Sequence, residues 1–183
     1  MSLGRLCAAR WVPSPNHDGR PPGTEVDLLV IHGISLPPGG FGGPWIAQLF
    51  QNRLDPEAHP YFRSIAGLRV SSHLLIRRDG ELIQFVDFNE RAWHAGVSCF
   101  AGRTVCNDFS IGIELEGADS IPYTDAQYGV LGATVRELML RFPGIQPGGI
   151  LGHSDIAPGR KTDPGPAFDW ARLKALIADA SAE

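Results

Sequence analysis

The sequence predicts an α/β (α+β) fold built on a mixed central β-sheet flanked by helices, and three stretches carry that prediction. "VDLLVIH" (26–32) is an unbroken apolar run rich in branched residues, which suits a strand covered on both faces. "FSIGIELEG" (109–117) alternates with a period of two, and "TDAQYGVLGATVRELMLRF" (124–142) repeats its apolar residues at helical spacing. Strands and helices therefore interleave along the chain, and a hairpin signal between them adds an antiparallel pair.

Taken in order, "VPSPNHDGRPPGT" (12–24) is too rich in Pro, Gly and polar residues for a regular element and is expected to be an irregular arm. The run 26–32 follows as a buried strand with His32 at its carboxyl end. "SLPPGGFGG" (35–43) makes a long glycine-rich loop, and Pro44 in the first turn opens a short helix over "PWIAQLFQ" (44–51). In "VSSHLLIRRDGELIQFV" (70–86), Asp79-Gly80 suits a two-residue turn between two strands. Along 109–117, Ile111, Ile113 and Leu115 face one way while Gly112, Glu114 and Glu116 face the other. Thr124 and Gln127 fit a capping box for the long helix, whose apolar stripe is Tyr128, Leu131, Val135, Leu138 and Phe142. "GGILGH" (148–153) reads as a short strand ending at His153, and "DWARLKALIADA" (169–180) as the last helix.

With 183 residues, 43% of them hydrophobic and 20% charged, the chain suits a single domain, 1–183, around one sizeable core. Its net charge is −4 and its 16 basic residues are scattered, which argues against nucleic acid or an anionic membrane as partner. Cys7, Cys99 and Cys106 form no CxxC pair, so a reducing compartment is expected. The first residues lack an apolar signal-peptide core, and no later stretch approaches the ~18 apolar residues of a membrane span. A cytoplasmic monomer is the expectation.

The chemistry-bearing residues converge on loops at strand ends. His32 and His153 each leave a predicted buried strand for a Gly- and Pro-rich loop, where α/β sites usually assemble. Alone, each reads more readily as a hydrogen-bonded structural histidine than as a ligand. With Asp163 they supply two imidazoles and a carboxylate, leaving a fourth position for water, a set suited to catalytic zinc. Lys161 is two residues before Asp163; it is either a solvated lysine or an ammonium placed to steady an oxyanion. Of Glu114 and Glu116, one could serve as general base, the alternative being a salt bridge or an exposed strand face. "RAWHAGVS" (91–98) offers Trp93 and His94 as a stacking and hydrogen-bonding wall for substrate. His73 reads as a satisfied core histidine, and His17 and His59 as surface residues.

The blocks "VPSPNHD", "LLVIHGISLPPGGFGGPWI", "RAWHAGVS", "CNDFSIGIELEG", "YTDAQY" and "GHSDIAPGRKTDPGPAFDW" closely resemble the 1,6-anhydro-N-acetylmuramyl-L-alanine amidases of the AmpD type. The resemblance implies an amidase/peptidoglycan-recognition fold. It also implies a cytoplasmic zinc amidase of peptidoglycan recycling, with a small anhydro-muropeptide as substrate. The bond cut is the amide between the lactyl group of the anhydro-sugar and L-alanine. By position it implies His32, His153 and Asp163 as zinc ligands, Glu114 and Lys161 as catalytic residues, and Arg69 and Trp93 in the substrate cleft. Two positions depart from that family: Gly33 stands where Asn is common, and Val105 where Arg is common. Arg103 is the candidate stand-in for the missing guanidinium, and Gly33 remains a substrate-side position. The competing readings are a muropeptide-binding module without activity and an amidase acting on intact wall.

Overall fold

An apolar run that can bury both faces belongs inside a sheet, and Leu28, Leu29, Val30 and Ile31 are fully buried there. The computed structural model describes residues 4–178. Its strands are β1 (Arg10–Trp11), β2 (His17–Gly19), β3 (Leu28–Ile34), β4 (Leu74–Ile76), β5 (Leu82–Gln84), β6 (Glu90–Ala92), β7 (Cys99–Phe100), β8 (Arg103–Thr104), β9 (Ser110–Glu116) and β10 (Ile150–Gly152). Its helices are α1 (Trp45–Phe50), α2 (Pro60–Ile65), α3 (Asp125–Arg141), α4 (His153–Ile156) and α5 (Trp170–Ala178).

The main sheet runs β1-β5-β4-β9-β3-β10. Only β4 and β5 pair antiparallel; the other neighbours are parallel, so the sheet is mixed as expected. On one face, Leu29, Ile31, Ile111, Ile113 and Leu115 pack against Leu131, Val135 and Leu138 of α3 and Leu173 of α5. On the other, Ile46, Leu49, Phe50 and Phe62 from α1 and α2 cover Leu75 and Ile83. Each fully buried Leu or Ile contributes about 1.5–3 kcal/mol, which makes the centre of the sheet a firm platform. The parallel register of β3 and β9 sets His32 directly beside Glu114 on that platform.

Several expectations hold in detail. Thr124 caps α3, accepting from the Gln127 N–H at 3.1 Å while Gln127 Oε1 accepts from the Thr124 N–H at 3.1 Å. Others need correction. The arm at 12–24 is not wholly irregular, because β2 pairs antiparallel with β6 and Asp18 is ion-paired to Arg91 at 2.6 Å. β3 continues past His32 to Ile34, since Gly33 and Ile34 still pair with Leu115 and Glu116. The hairpin keeps a bond from the Arg77 N–H to Glu81 O (2.9 Å), leaving a three-residue loop with Gly80 at φ +90 rather than a two-residue turn. Pro44 is the cap residue of α1 and not its first turn. α2 has no counterpart in the sequence reading; His59 caps it by accepting the Tyr61 N–H at 3.1 Å. β10 ends at Gly152, so His153 opens α4 rather than closing a strand. Of the last predicted helix, 179–180 lie outside the described residues. Among the described residues, no helix is long and apolar enough to cross a membrane.

Candidate metal centre

The polar face of β9 is not exposed: Glu114 is 9% exposed and Glu116 1%. Chain has folded over it from three directions. β3 brings His32, α4 brings His153, and the loop after α4 returns Asp163, held back to α4 by a bond from the Ser154 N–H to Asp163 O (3.0 Å). The Nδ1 atoms of His32 and His153 lie 3.0 Å apart, and each is 3.1 Å from Asp163 Oδ2. His32 is more than a hundred positions from His153 and Asp163, so the pairing of β3 with β10 brings the first ligand to the other two.

The far side of each imidazole is also engaged. His153 Nε2 is 3.1 Å from Ala95 O, and His32 Nε2 is 2.9 Å from His94 Nδ1. A carbonyl oxygen can only accept, so a proton on His153 Nε2 satisfies Ala95 O and leaves the Nδ1 lone pair pointing inward, although Arg160 also approaches that nitrogen at 3.3 Å. If His32 likewise carries its proton on Nε2, two lone pairs and a carboxylate oxygen face one point. Three acceptors so placed are chemically matched to a cation, and the residues present fit a tetrahedral metal with one open position.

Electrostatics agree with that reading. Burial, above all, pushes His32 down to about 4, against the pull of Asp163, so its imidazole is neutral at pH 7. Burial works against the Asp163 carboxylate, yet the facing side chains of His153 and His32 outweigh it and keep Asp163 well below the usual carboxylate range. Glu114 goes the other way. Burial first, and the neighbouring Asp163 charge second, raise it well above an ordinary glutamate, with Lys161 pulling weakly back. Its Oε2 is buried without a hydrogen-bond partner, an acceptor held ready beside the centre.

These groups open into a cavity of about 580 Å³. One wall is apolar, with Leu36, Tyr61, Ile65 and Leu68; the other is polar, with Asp119, Lys161 and Thr162. Lys161 is therefore where the sequence placed it, exposed on the same cavity as Glu114. Gly33 also lines it, and a Cβ there would collide with the Tyr123 hydroxyl. Arg69 stands between the lining residues Leu68 and Val70, exposed at the rim, and its guanidinium has no bond or ion pair among the described residues. Trp93 is not in the lining; its indole N–H donates to Asp18 at 3.1 Å. Arg103 is not there either, being paired with Asp27 at 2.9 Å and stacked on Phe109 at 3.9 Å, so it does not stand in for a guanidinium at Val105. His94, expected on the substrate wall, does line the cavity, but it is largely buried and both of its ring nitrogens are taken by His32 and Ser110.

Two supports escaped the sequence reading, and a third, Glu116, takes the structural role that is the alternative for one of the two glutamates. Tyr123 Oη donates to Pro164 O at 2.9 Å and so holds the peptide after Asp163. Arg160 donates to Ala95 O (2.6 Å) and Val97 O (2.7 Å), clamping the loop that also receives His153. Glu116 accepts from the Gly42 N–H (2.7 Å) and Arg78 N–H (3.1 Å), which anchors the glycine-rich loop forming one cavity wall. Nothing in their local spacing marks them, because each acts on a backbone group far away in sequence.

Residues 22–166 match the family Amidase_2, N-acetylmuramoyl-L-alanine amidase. The chain belongs to the N-acetylmuramoyl-L-alanine amidase family. The 1,6-anhydro-N-acetylmuramyl-L-alanine amidase AmpD of Citrobacter freundii is 61% identical to this amidase over 181 residues, 99% of this chain and 96% of that protein. A crystal structure of a selenomethionine AmpD derivative superposes with a TM-score of 0.94 at 60% identity, covering 97% of this chain and 98% of the other. The amidase AmiD from Escherichia coli, solved with anhydro-N-acetylmuramic acid-L-Ala-D-γ-Glu-L-Lys, aligns at 30% identity with a TM-score of 0.61 over 86% of this amidase and 60% of that chain. The shared fold is the mixed sheet with flanking helices described above, and this chain is an amidase.

Proposed function

We propose that this amidase is a zinc hydrolase of cytoplasmic peptidoglycan recycling, acting as a single domain and a monomer on free anhydro-muropeptides. The bond cleaved is the amide joining the lactyl group of 1,6-anhydro-N-acetylmuramic acid to L-alanine. The observation that carries the reading is the convergence of His32 Nδ1, His153 Nδ1 and Asp163 Oδ2 within 3.0–3.1 Å, next to a buried Glu114. Relatives about 60% identical over nearly the whole chain, named for the anhydro substrate, support the choice of sugar.

His32, His153 and Asp163 would hold the zinc. When bound, zinc supplies Lewis acidity toward the scissile carbonyl oxygen and an attacking water. Glu114 takes the proton of that water on Oε2; its low exposure and raised affinity for protons suit a group that must accept one and then give it up. The same carboxyl returns the proton to the departing L-alanine nitrogen. Lys161 places its ammonium on the cavity to balance the negative charge developing on the carbonyl oxygen. The apolar wall of Leu36, Tyr61, Ile65 and Leu68 excludes water from one side of the reacting centre, and Arg69 at the rim meets anionic groups of the stem peptide.

Mass spectrometry of products from free anhydro-muropeptide and from intact sacculi, each with and without a chelator, tests this. The expected result is a stem peptide with a free L-alanine amino group from the muropeptide only, abolished by the chelator and restored by zinc. Release that survives complete metal removal, or equal release from sacculi, would overturn the reading.

A further inference from the structure

We infer that His94, whose ring edges the cavity, is a positioning residue that fixes the tautomer of the metal ligand His32 and not a hydrogen-bonding partner of substrate. The inference rests on the metal centre described above and bears on metal affinity.

His94 sits behind His32, with ring centroids 5.0 Å apart and planes near perpendicular at 88°. Its Nδ1 is 2.9 Å from His32 Nε2, and its Nε2 is 3.1 Å from Ser110 Oγ. The backbone at this point is pinned, because Asn107 Oδ1 accepts from the N–H groups of His94 (3.2 Å) and Ala95 (2.8 Å). Beneath the ring lies Gly112, where a Cβ would fall 2.5 Å from His94 Cγ. The strand is bare at the one place where the imidazole has to lie. Gly112 is itself held, its N–H donating to His73 Nδ1 at 3.0 Å.

The chemistry follows from that geometry. With its Nε2–H donating to Ser110, His94 turns the lone pair of Nδ1 toward His32 and accepts the His32 Nε2–H. His32 must then present an unprotonated Nδ1 to His153 and Asp163, the form a metal needs. A carboxylate would be the stronger acceptor, but it would add a charge to a pocket that already holds Glu114 and Asp163. A neutral imidazole orients His32 without that penalty. Both nitrogens of His94 are spent on the protein, leaving none for a substrate hydrogen bond.

The test uses the full chain in three parts. First, ring 15N shifts of His32 in the metal-free protein are expected to report a proton on Nε2; a proton on Nδ1 would overturn the proposal. Second, zinc affinity is measured by competition with a chromophoric chelator. His94→Phe keeps the ring volume without the acceptor and is expected to weaken zinc roughly 10–100-fold. His94→Asn, which can place an acceptor near the Nδ1 position, is expected to recover most of that loss. Third, KM for anhydro-muropeptide at saturating zinc is expected to stay unchanged in His94→Asn. Unchanged zinc affinity with a raised KM would assign His94 to the substrate wall and overturn the proposal, as would equal losses in the two variants. If His94→Phe does not fold, Ser110→Ala takes its place, with a smaller loss of zinc affinity expected and no loss counting against the relay. A wild-type protein that bound no zinc would remove the metal-centre reading, and the 15N measurement would still decide the His32–His94 contact.

Discussion

Replacing Glu114 by Gln should separate activity from stability in opposite directions, and the structure gives the reason. The carboxyl is buried, its Oε2 has no partner among the described residues, and burial together with the Asp163 charge raises its pKa well above the usual 4.5 of a glutamate. In the metal-free protein, therefore, folding favours the protonated acid. At pH below 4.5 the wild type and the Gln variant both bury a neutral polar group there, and their stabilities should be close. As pH rises past that point the unfolded wild type loses its proton first. The stabilisation present at low pH is then lost at about 1.4 kcal/mol per pH unit until the folded carboxyl also ionises. Gln carries no such term, so its advantage should grow with pH. Turnover should fall by about 100-fold or more, because an amide cannot accept the proton of the attacking water. Urea unfolding of chelator-treated wild type and Glu114→Gln between about pH 4 and about pH 8 reads the first effect, and amide release by the zinc-loaded enzymes reads the second. Parallel stability curves would refute the buried-acid argument, and near-normal turnover would refute the assignment of Glu114 as base.

The remaining predictions concern the frame around the site. Tyr123→Phe removes the hydrogen bond to Pro164 O and leaves that carbonyl short of a donor, which should cost about 1–3 kcal/mol in urea unfolding. Because Pro164 follows Asp163, the same variant should weaken zinc in chelator competition; unchanged values in both measurements would show that Tyr123 does not brace the ligand loop. His73 is fully buried, and burial first, then the charge of Arg20, lowers it to about 3. A depressed histidine stabilises above its unfolded pKa and loses that contribution as pH falls, so His73 should erode stability by about 1.4 kcal/mol per pH unit on going down from 6.5 toward 3. NMR of the His73 ring should show it neutral at about pH 5 in the folded protein; a half-protonated ring there would reject this source of acid sensitivity.

Much of this protein could be read along the chain because the relevant physics is local. The apolar run at β3, the alternation of β9 and the capping box of α3 depend on near neighbours, and all three stand in the structure. So do His32, His153, Asp163, Glu114 and Lys161, which are brought to one cavity. The errors arose where pairing decides. β3 runs two residues further than its apolar run because β9 lies beside it, and β2 exists only because β6 does. α2, with a His59 cap and Pro60 at its first position, is too short for periodicity to reveal.

The residue types and the order in which they arrive are written along the chain: two imidazoles, a carboxylate, a glutamate and a lysine, each in a block resembling the amidases. What each of them faces depends on how strands and loops distant in the chain pack together. Parallel pairing of β3 with β9 put His32 against Glu114, and burial of both faces of β9 turned two apparently equivalent glutamates into an acceptor at the centre and an anchor for a loop. That packing tied both ring nitrogens of His94 to His32 and Ser110, and drew Arg103 away to Asp27. The reason is that hydrogen bonds and desolvation act over a few ångströms, and the partners here are separated by tens to more than a hundred residues of chain.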